Sequence, residues 1–551
     1  MARRAHAYPQ VSPVAADLVD GAVLPAPPGL TAADAARLAR RRQADVLAAG
    51  DGHWVLRKDA ARAEALGLGG LPLRRLARPL PVTGARDSEI AVRRHLAAGA
   101  PAVVVVRGRT PLGVVRRVPP PAVISMRARL ERWLDAESLA LLAEAGRLAA
   151  AQGARAFAVG GLVRDAWLGR ATARHDVDVV VEGDARQVAR ALAGALGGTL
   201  VEHERFLTAS VTLPRGRRLD VVTARSERYE RAGALPRVMP ASIAQDLERR
   251  DFTVNAMAVE LGSPAYALLD PLGGAADVAR RRLRILHPLS FVEDPTRIFR
   301  AARYAARLRF VLDAWTVRCR TLALELAPYP ALSPARIVAE LERTLDEAAP
   351  GPALAALARA GAFRLLASGH RATRATVTWL EAVPGALQWA RAHAVAAPAL
   401  EVLAVALAAG QARDVAAAVL RGLGLAGAPL ERVQEALERG AVLGERLASA
   451  RRPSEAARAV RQSGATALAW LRLSGDAATR ERLERALGAE AAARPVLDGD
   501  DLLGLGMARG PEVAAVLGAL RDARVDGEIR ERQDEMDYVK TWLATRTERE
   551  G

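Results

Sequence analysis

The hydrophobic rhythm of the chain changes about half-way along. Up to about residue 285, short apolar runs of strand length alternate with helical stretches. From there to residue 551, Ala, Leu and Arg recur at three- and four-residue spacing, broken by Gly and Pro at helix ends. The first regime predicts α/β structure, the second an all-α remainder. Residues 1–28 are irregular and end in Pro25-Ala26-Pro27-Pro28. Two short α/β units follow. One has helices over 32–42 and 59–66 around a strand at 53–56. The other has a helix capped by Asp87 or Ser88 and running through Leu96, then strands at 102–106 and 113–116, closed by Pro119-Pro120-Pro121. A helical stretch over 125–151 leads into the α/β region from 154 to 285. Thr223–Glu248 is polar and Pro-containing, and it predicts a mobile loop.

Composition narrows the class. Half of the residues are apolar, as a packed core requires, and aromatics make up only 4%, which leaves few rings for base stacking. Lys plus Arg is 79 against 62 acidic residues, a net +17, and Lys58 and Lys540 are the only lysines. So large an arginine excess fits a polyanionic partner, and it equally fits a biased genomic base composition. The single cysteine, Cys319, excludes an internal disulfide or a cysteine zinc site and fits a reducing compartment. MARRAHAYPQ is not followed by an apolar segment of signal-peptide length, and the run 400–409 is far short of a membrane span. A soluble cytoplasmic protein is expected.

Candidate chemistry begins at Phe157-Ala158-Val159, a strand running into Gly160-Gly161 and then a helix opening with Leu162-Val163-Arg164-Asp165. A strand–Gly-Gly–helix turn lets backbone approach a phosphate, the helix start supplies N–H groups, and Arg164 adds charge one turn in. Alone, it is only a tight turn. The next strand carries Asp176-Val177-Asp178-Val179. Residues two apart on a strand share a face, so both carboxylates point one way while Val177 and Val179 face a core. Two like charges so close repel unless a cation lies between them, and Mg²⁺, which takes carboxylate and phosphate oxygens, is the natural occupant. The alternative is an exposed edge with solvated acids, which the upstream glycine turn disfavours. Asp220, in Leu219-Asp220-Val221-Val222, offers a third carboxylate.

Gly-Gly-Leu-Val-Arg-Asp (160–165) with Asp-Val-Asp (176–178) resembles the head of the class II tRNA nucleotidyltransferase and bacterial poly(A) polymerase family, which has a DNA polymerase beta-like nucleotidyltransferase fold. The resemblance continues through Arg-Arg-Asp-Phe-Thr-Val-Asn-Ala (249–256), Asp-Pro-Leu-Gly-Gly (270–274), Glu-Asp-Pro-Thr-Arg (293–297) and Arg-Ala-Ala-Arg-Tyr (300–304). It implies that Asp176 and Asp178 hold the metals; Asp220, read from its own strand, is taken beside them as a further catalytic acid. It implies that Gly160, Gly161, Arg164, Arg250, Arg300 and Arg303 contact nucleotide. Asp294 and Arg297 would read the incoming base, Asp accepting and Arg donating. Cytosine and adenine share the order amino donor, ring-nitrogen acceptor, whereas uracil and guanine present a ring N–H, so such a pair admits CTP and ATP only. Without the resemblance, Asp294 reads as a helix N-cap before Pro295, and Arg297, Arg300 and Arg303 as a solvated basic stripe.

Residues 22–120 resemble a pair of cystathionine-β-synthase (CBS) modules, which bind adenosine nucleotides through a hydroxyl residue three before an Asp. Here Asp59 is kept, Leu56 stands at the hydroxyl position and Val118 at the second Asp position. A structural or dimerising role stands beside ligand binding. The expected organisation is a CBS-like pair at 1–122, a helical linker at 123–152, an α/β head with a mixed sheet at 153–285, and then an all-α neck (286–345), body (346–440) and tRNA-gripping tail (441–551). In the tail, Asp500–Gly506, Gly510-Pro511 and Asp526–Met536 resemble family segments. The resemblance implies a Mg²⁺-dependent enzyme acting on tRNA 3′ ends. CBS-like modules on this head point to AMP addition from ATP, with full CCA addition from CTP and ATP next, then CC addition or poly(A) synthesis. A small-molecule nucleotidyltransferase and a non-catalytic RNA-binding protein are the readings from other classes. Homodimerisation through the CBS-like region is a further expectation.

Overall fold

The computed structural model describes residues 13–116, 123–170, 177–203, 207–214, 216–262 and 266–550. Asp176, Val118 and Pro119-Pro120-Pro121 lie outside the described residues. The chain divides into two compact units, Met1–Ser333 and Pro334–Gly551, so the boundary falls inside the segment 286–345 expected as a neck.

The first unit opens with β1 (Val23–Pro25), α1 (Ala32–Arg41), β2 (Val46–Ala48), β3 (His53–Leu56), α2 (Arg57–Ala65) and β4 (Arg78–Pro79), whose strands form a sheet in sequential order. Then come β5 (Val82–Gly84), α3 (Glu89–Ala97), β6 (Val103–Arg107) and β7 (Thr110–Val115), a second small sheet. Val46, Trp54, Leu56, Val104 and Val114 share one core, so the two sheets pack together. α2 begins at Arg57, two residues earlier than expected, which puts Asp59 in its first turn. Asp59 is fully buried and pairs with Arg78 at 3.0 Å, as a carboxylate out of water requires.

Next are α4 (Arg127–Trp133) and α5 (Ala136–Ala151), which lead to β8 (Arg155–Val159), α6 (Gly161–Leu168), β9 (Val177–Glu182), α7 (Ala185–Leu196), β10 (Thr199–His203), β11 (Thr208–Thr212) and β12 (Arg218–Thr223). α5 packs on β8 and α7, so residues 136–151 belong to the head's packing rather than to a free linker. The chain continues with β13 (Arg225–Arg228), β14 (Arg237–Pro240), α8 (Ile243–Glu248), β15 (Ala258–Glu260), β16 (Leu268–Leu269), α9 (Gly274–Ala279) and β17 (Arg282–Leu283). The first unit closes with α10 (Ser290–Glu293), α11 (Thr296–Leu308), β18 (Val311–Leu312) and α12 (Ala314–Glu325).

The head sheet has the order β10-β11-β12-β9-β8-β15-β16. Its β12–β9 pair is parallel, whereas β8–β9, β11–β12 and β8–β15 are antiparallel, so the sheet is mixed as expected. Phe157, Val159 and Val180 pack with Ile243 and Leu247 of α8 in one core. Thr223–Glu248 corrects an expectation. It is an antiparallel hairpin followed by a helix with a Ser242–Gln245 capping box, not an irregular loop. Its polar residues are spent on pairing: Arg249 bonds both Glu227 (2.8 Å) and the carbonyl of Arg225 (3.1 Å), tying hairpin to helix. Cys319 is buried in α12, and burial pushes its thiol up to about 12, so it stays protonated.

The second unit is helical from Pro334 to Glu550. One core gathers Trp389, Leu443, Leu447, Leu468, Leu471 and Leu483, and another Leu497, Leu502, Val516, Leu520 and Val539. The tail acids named above have structural partners. Glu535 is fully buried and accepts from the N–H groups of Val496 (3.0 Å) and Leu497 (2.7 Å), and Asp526 accepts from Ser454 N (2.9 Å) and Oγ (2.7 Å). Among the described residues, no helix is long and apolar enough to cross a membrane.

Candidate active site

β8 runs directly into Gly160, whose φ of +70° and ψ of −128° suit a residue without a Cβ. Its N–H reaches the carbonyl of Met257 at 3.3 Å, and a Cβ placed there would stand 3.3 Å from Arg250 Nη1. The conformation demands glycine, and a Cβ would also press on the end of the Arg250 side chain. Gly160→Ala is expected to cost about 1–3 kcal/mol of stability through backbone strain and to displace Arg250. A thermal scan together with a nucleotide-binding titration checks this, the expected outcome being a loss in both.

On β9, Val177 and Val179 are buried and Asp178 is exposed. Asp178 shares its face with Val180, which α8 covers, so the acid sits where that cover ends. In the β9–β12 register Asp178 lies directly beside Asp220, which puts two carboxylates on one face of neighbouring strands whose backbones run about 4.8 Å apart. In the β8–β9 register Ala158 pairs with Val179. The next antiparallel step brings Asp178 beside Val159, one residue before Gly160. Acids and glycine turn therefore meet at one end of adjacent strands. Asp220 accepts from Ser210 Oγ (2.5 Å) and Arg218 Nε (2.9 Å), and Ser210 is its partner on β11. These all-oxygen donors fit a hard divalent cation. Among the described residues no group of three potential ligands converges.

Behind the glycine turn, a chain of buried polar groups joins the remaining motifs. Arg164 is buried. It bonds Asp165 through Nε (2.8 Å) and Nη2 (2.9 Å), and Asn255 Oδ1 through Nη1 (2.6 Å). Asn255 Nδ2 donates to Asp251 Oδ1 (3.0 Å), and Asp251 Oδ2 accepts from Arg300 Nε (2.9 Å) and Nη2 (2.6 Å). Burial alone would raise the Asp251 pKa, but Arg300 and the Asn255 bond outweigh it and hold the group at about 2. Asp246, wholly buried on α8, pairs with Arg249 (2.7 Å) and Arg250 (2.9 Å) at once. The pair Arg249–Arg250, which could have been a solvated basic patch, is clamped instead.

α11 contributes the arginine stripe, and the stripe faces inward. Arg297 and Arg303 are buried and Arg300 is half-buried. Arg297 donates to Ser290 Oγ (2.7 Å) and to the carbonyl of Arg249 (2.9 Å). The guanidinium groups of Arg164, Arg300, Arg303 and Arg307 lie 4.9–5.7 Å from the Tyr304 ring centre. Asp294 does cap, as its position before Pro295 predicts, since Oδ1 accepts from Thr296 N (3.0 Å) and Oγ1 (2.6 Å). Gly160, Gly161, Arg164, Arg250, Arg297 and Arg300 are thus linked through a few side chains; Arg303 joins them at the Tyr304 ring, Asp294 stands just before the same helix, and Asp178 lies beside the turn with Asp220 on the next strand. Such an arrangement of acids, glycines and arginines suits a polyanion carried on a metal.

Residues 156–284 match the family model described as the poly A polymerase head domain. The CC-adding tRNA nucleotidyltransferase of Deinococcus radiodurans is 35% identical over 393 residues, covering 70% of this chain and 88% of that protein. The chain belongs to the class II tRNA nucleotidyltransferase family. An A-adding member from Geobacter sulfurreducens is 31% identical over 418 residues, 69% of this chain but 47% of that protein. The chain spans about half or less of the length of the A-adding relatives it matches. A solved CCA-adding enzyme in its apo form superposes with a TM-score of 0.68 at 27% identity, covering 76% of this chain and 98% of that one.

Within this family site, sequence reasoning passed over Asp246, Asp251 and Asn255. Asp246 had a local signal, because it lies three and four residues before Arg249 and Arg250, the spacing of helical ion pairs. Asp251 and Asn255, bonded to each other, had none beyond their place in a recognised motif, since the arginines they hold sit 49 and 91 residues away.

Proposed function

We propose that the protein adds AMP from ATP to the 3′ end of tRNA ending in CC. The observation that carries the reading is the register that sets Asp178 beside Asp220 and one step from the Gly160 turn. Asp176 and Asp178, with Asp220 adjoining, would hold Mg²⁺, which when bound supplies neutralising charge at the triphosphate and acidifies the attacking hydroxyl. The chain's own part is positioning and charge. Gly160 and Gly161 admit the triphosphate close to backbone, and Arg164, Arg250, Arg300 and Arg303 surround it with fixed donors that need no reorganisation as charge shifts to the leaving pyrophosphate. Asp294 accepts from the base's amino group while Arg297 donates to its ring nitrogen. Arg297 is buried, so a base with the opposite pattern would leave polar groups unpaired, at a cost of about 1–3 kcal/mol each.

AMP addition rather than CC addition is supported by the A-adding relatives and by the N-terminal α/β pair, for which we keep the CBS-like reading and its dimerising role. One observation favours CC addition, namely the 88% coverage of the CC-adding relative. The assay offers tRNAs ending before CCA, after C and after CC, each with a single labelled triphosphate. AMP on the last substrate alone is the expected result. CMP on the first two would select the second reading, and no incorporation on any would refute both.

A further inference from the structure

Glu293, directly before Asp294, is held from outside the head. Its carboxylate is nearly buried, and Oε1 lies 2.9 Å from Nε of Arg62, on α2 of the N-terminal module. On its other side Oε2 lies 3.2 Å from Nε2 of the buried His287. Burial, with Arg62 adding to it, pushes His287 down to about 4, so at neutral pH the ring is an uncharged donor. Burial would raise Glu293, but His287, Arg62 and Arg297 together hold it at about 2. The ionised carboxylate therefore has two arginine cations near it, Arg62 and Arg297, one of which is the base-reading donor.

The module carrying Arg62 is firmly seated. Arg284 donates to the carbonyls of Gly99 (3.0 Å) and Ala98 (3.3 Å), and Gly99, at φ +81°, lies so close to Leu272 and Gly273 that no side chain fits between them. Asp59, one helical turn before Arg62, is locked to Arg78 at 3.0 Å and lies 3.6 Å from Arg62 Nη1 as well, so it helps to aim that side chain. α2 thus delivers one guanidinium to the residue that precedes the nucleotide-reading pair.

We propose that Arg62 is a positioning residue for nucleotide selection. By pairing with Glu293 it keeps that buried carboxylate from drawing Arg297 away from the incoming base. The proposal rests on the assignment of Asp294 and Arg297 as the base-reading pair. It makes the N-terminal module part of the specificity apparatus.

In the full-length protein, Arg62→Ala is expected to raise the KM for ATP about tenfold, leave kcat and the KM for tRNA within about twofold, and weaken rejection of UTP and GTP. Arg62→Lys should recover most of this. The decisive variant is Arg62→Ala with Glu293→Gln: removing the stranded charge should restore the nucleotide KM towards wild type. Arg40→Ala, which breaks the Arg40–Glu64 pair elsewhere on the module, is the control for general loosening and should leave the nucleotide KM unchanged. An unchanged nucleotide KM in Arg62→Ala overturns the proposal. So does a double variant worse than the single, or an equal loss in Arg40→Ala. If the wild type adds nothing to tRNA, the functional reading fails separately, and the same variants are then read by equilibrium binding of ATP and CTP with Mg²⁺. Equal affinities for wild type and Arg62→Ala, or no nucleotide bound by either, overturn the proposal there.

Discussion

Replacing Asp178 by alanine is expected to lower nucleotide incorporation by at least about a thousandfold, a loss of about 4 kcal/mol of transition-state stabilisation. Asp178 is exposed on β9, so its removal should change stability by no more than about 0.5 kcal/mol. The large loss comes from geometry. Asp178 is the described carboxylate that lies both beside Asp220 and next to the glycine turn, and a neighbouring acid cannot replace it without moving a strand. Asp178→Asn keeps the shape and removes the charge, so it should lose nearly as much. Single-turnover incorporation beside a thermal scan makes the comparison. Near-normal activity in a folded Asp178→Ala protein would remove the proposed metal site. Asp220→Ala should lose less, because Ser210 and Arg218 already share its carboxylate.

The second large effect is on stability. Asp251→Ala leaves the half-buried Arg300 without its carboxylate and the buried Asn255 without its acceptor. Breaking a buried pair costs about 3–5 kcal/mol, and the partial exposure of Arg300 puts this one at the low end. Asp251→Asn should cost less, since an amide oxygen can still accept from the N–H of Phe252, now at 2.8 Å from Oδ1. The same group sets an acid sensitivity. Its folded pKa, about 2, lies below the unfolded value near 4, so its contribution is fully present above about pH 4 and is lost as pH falls towards 2. Unfolding measured from pH 5 downward should therefore show a steeper acid loss in wild type than in Asp251→Asn. Equal slopes would mean that the Arg300 pair adds no stability.

Much of the site was legible along the chain because its signals are local. Alternation in Val177-Asp178-Val179 put the acid on one face and valines on the other, and burial follows that pattern. Gly160-Gly161 announced a turn that only glycine tolerates, and the Ala/Leu/Arg spacing beyond residue 285 announced helices. Where pairing reached further, reading failed. Thr223–Glu248 looked like a loop because its polar residues suggested solvent, yet Arg225, Glu227, Asp246 and Arg249 satisfy one another across a hairpin and a helix. Read without the family resemblance, Arg297, Arg300 and Arg303 of α11 make a wet stripe, yet Arg297 and Arg303 are buried.

By itself, the sequence determined which residues can carry the chemistry and which strand, turn or helix each belongs to, since periodicity, glycine conformation and capping depend on near neighbours. Only the tertiary structure decided which charges meet. Asp178 reaches Asp220 through strand register, Arg164 reaches Arg300 through Asn255 and Asp251, and Arg62 reaches Glu293 through the docking of a separate module. Partners so far apart in the chain leave no periodic trace, because their contact is set by how packed elements close on one another.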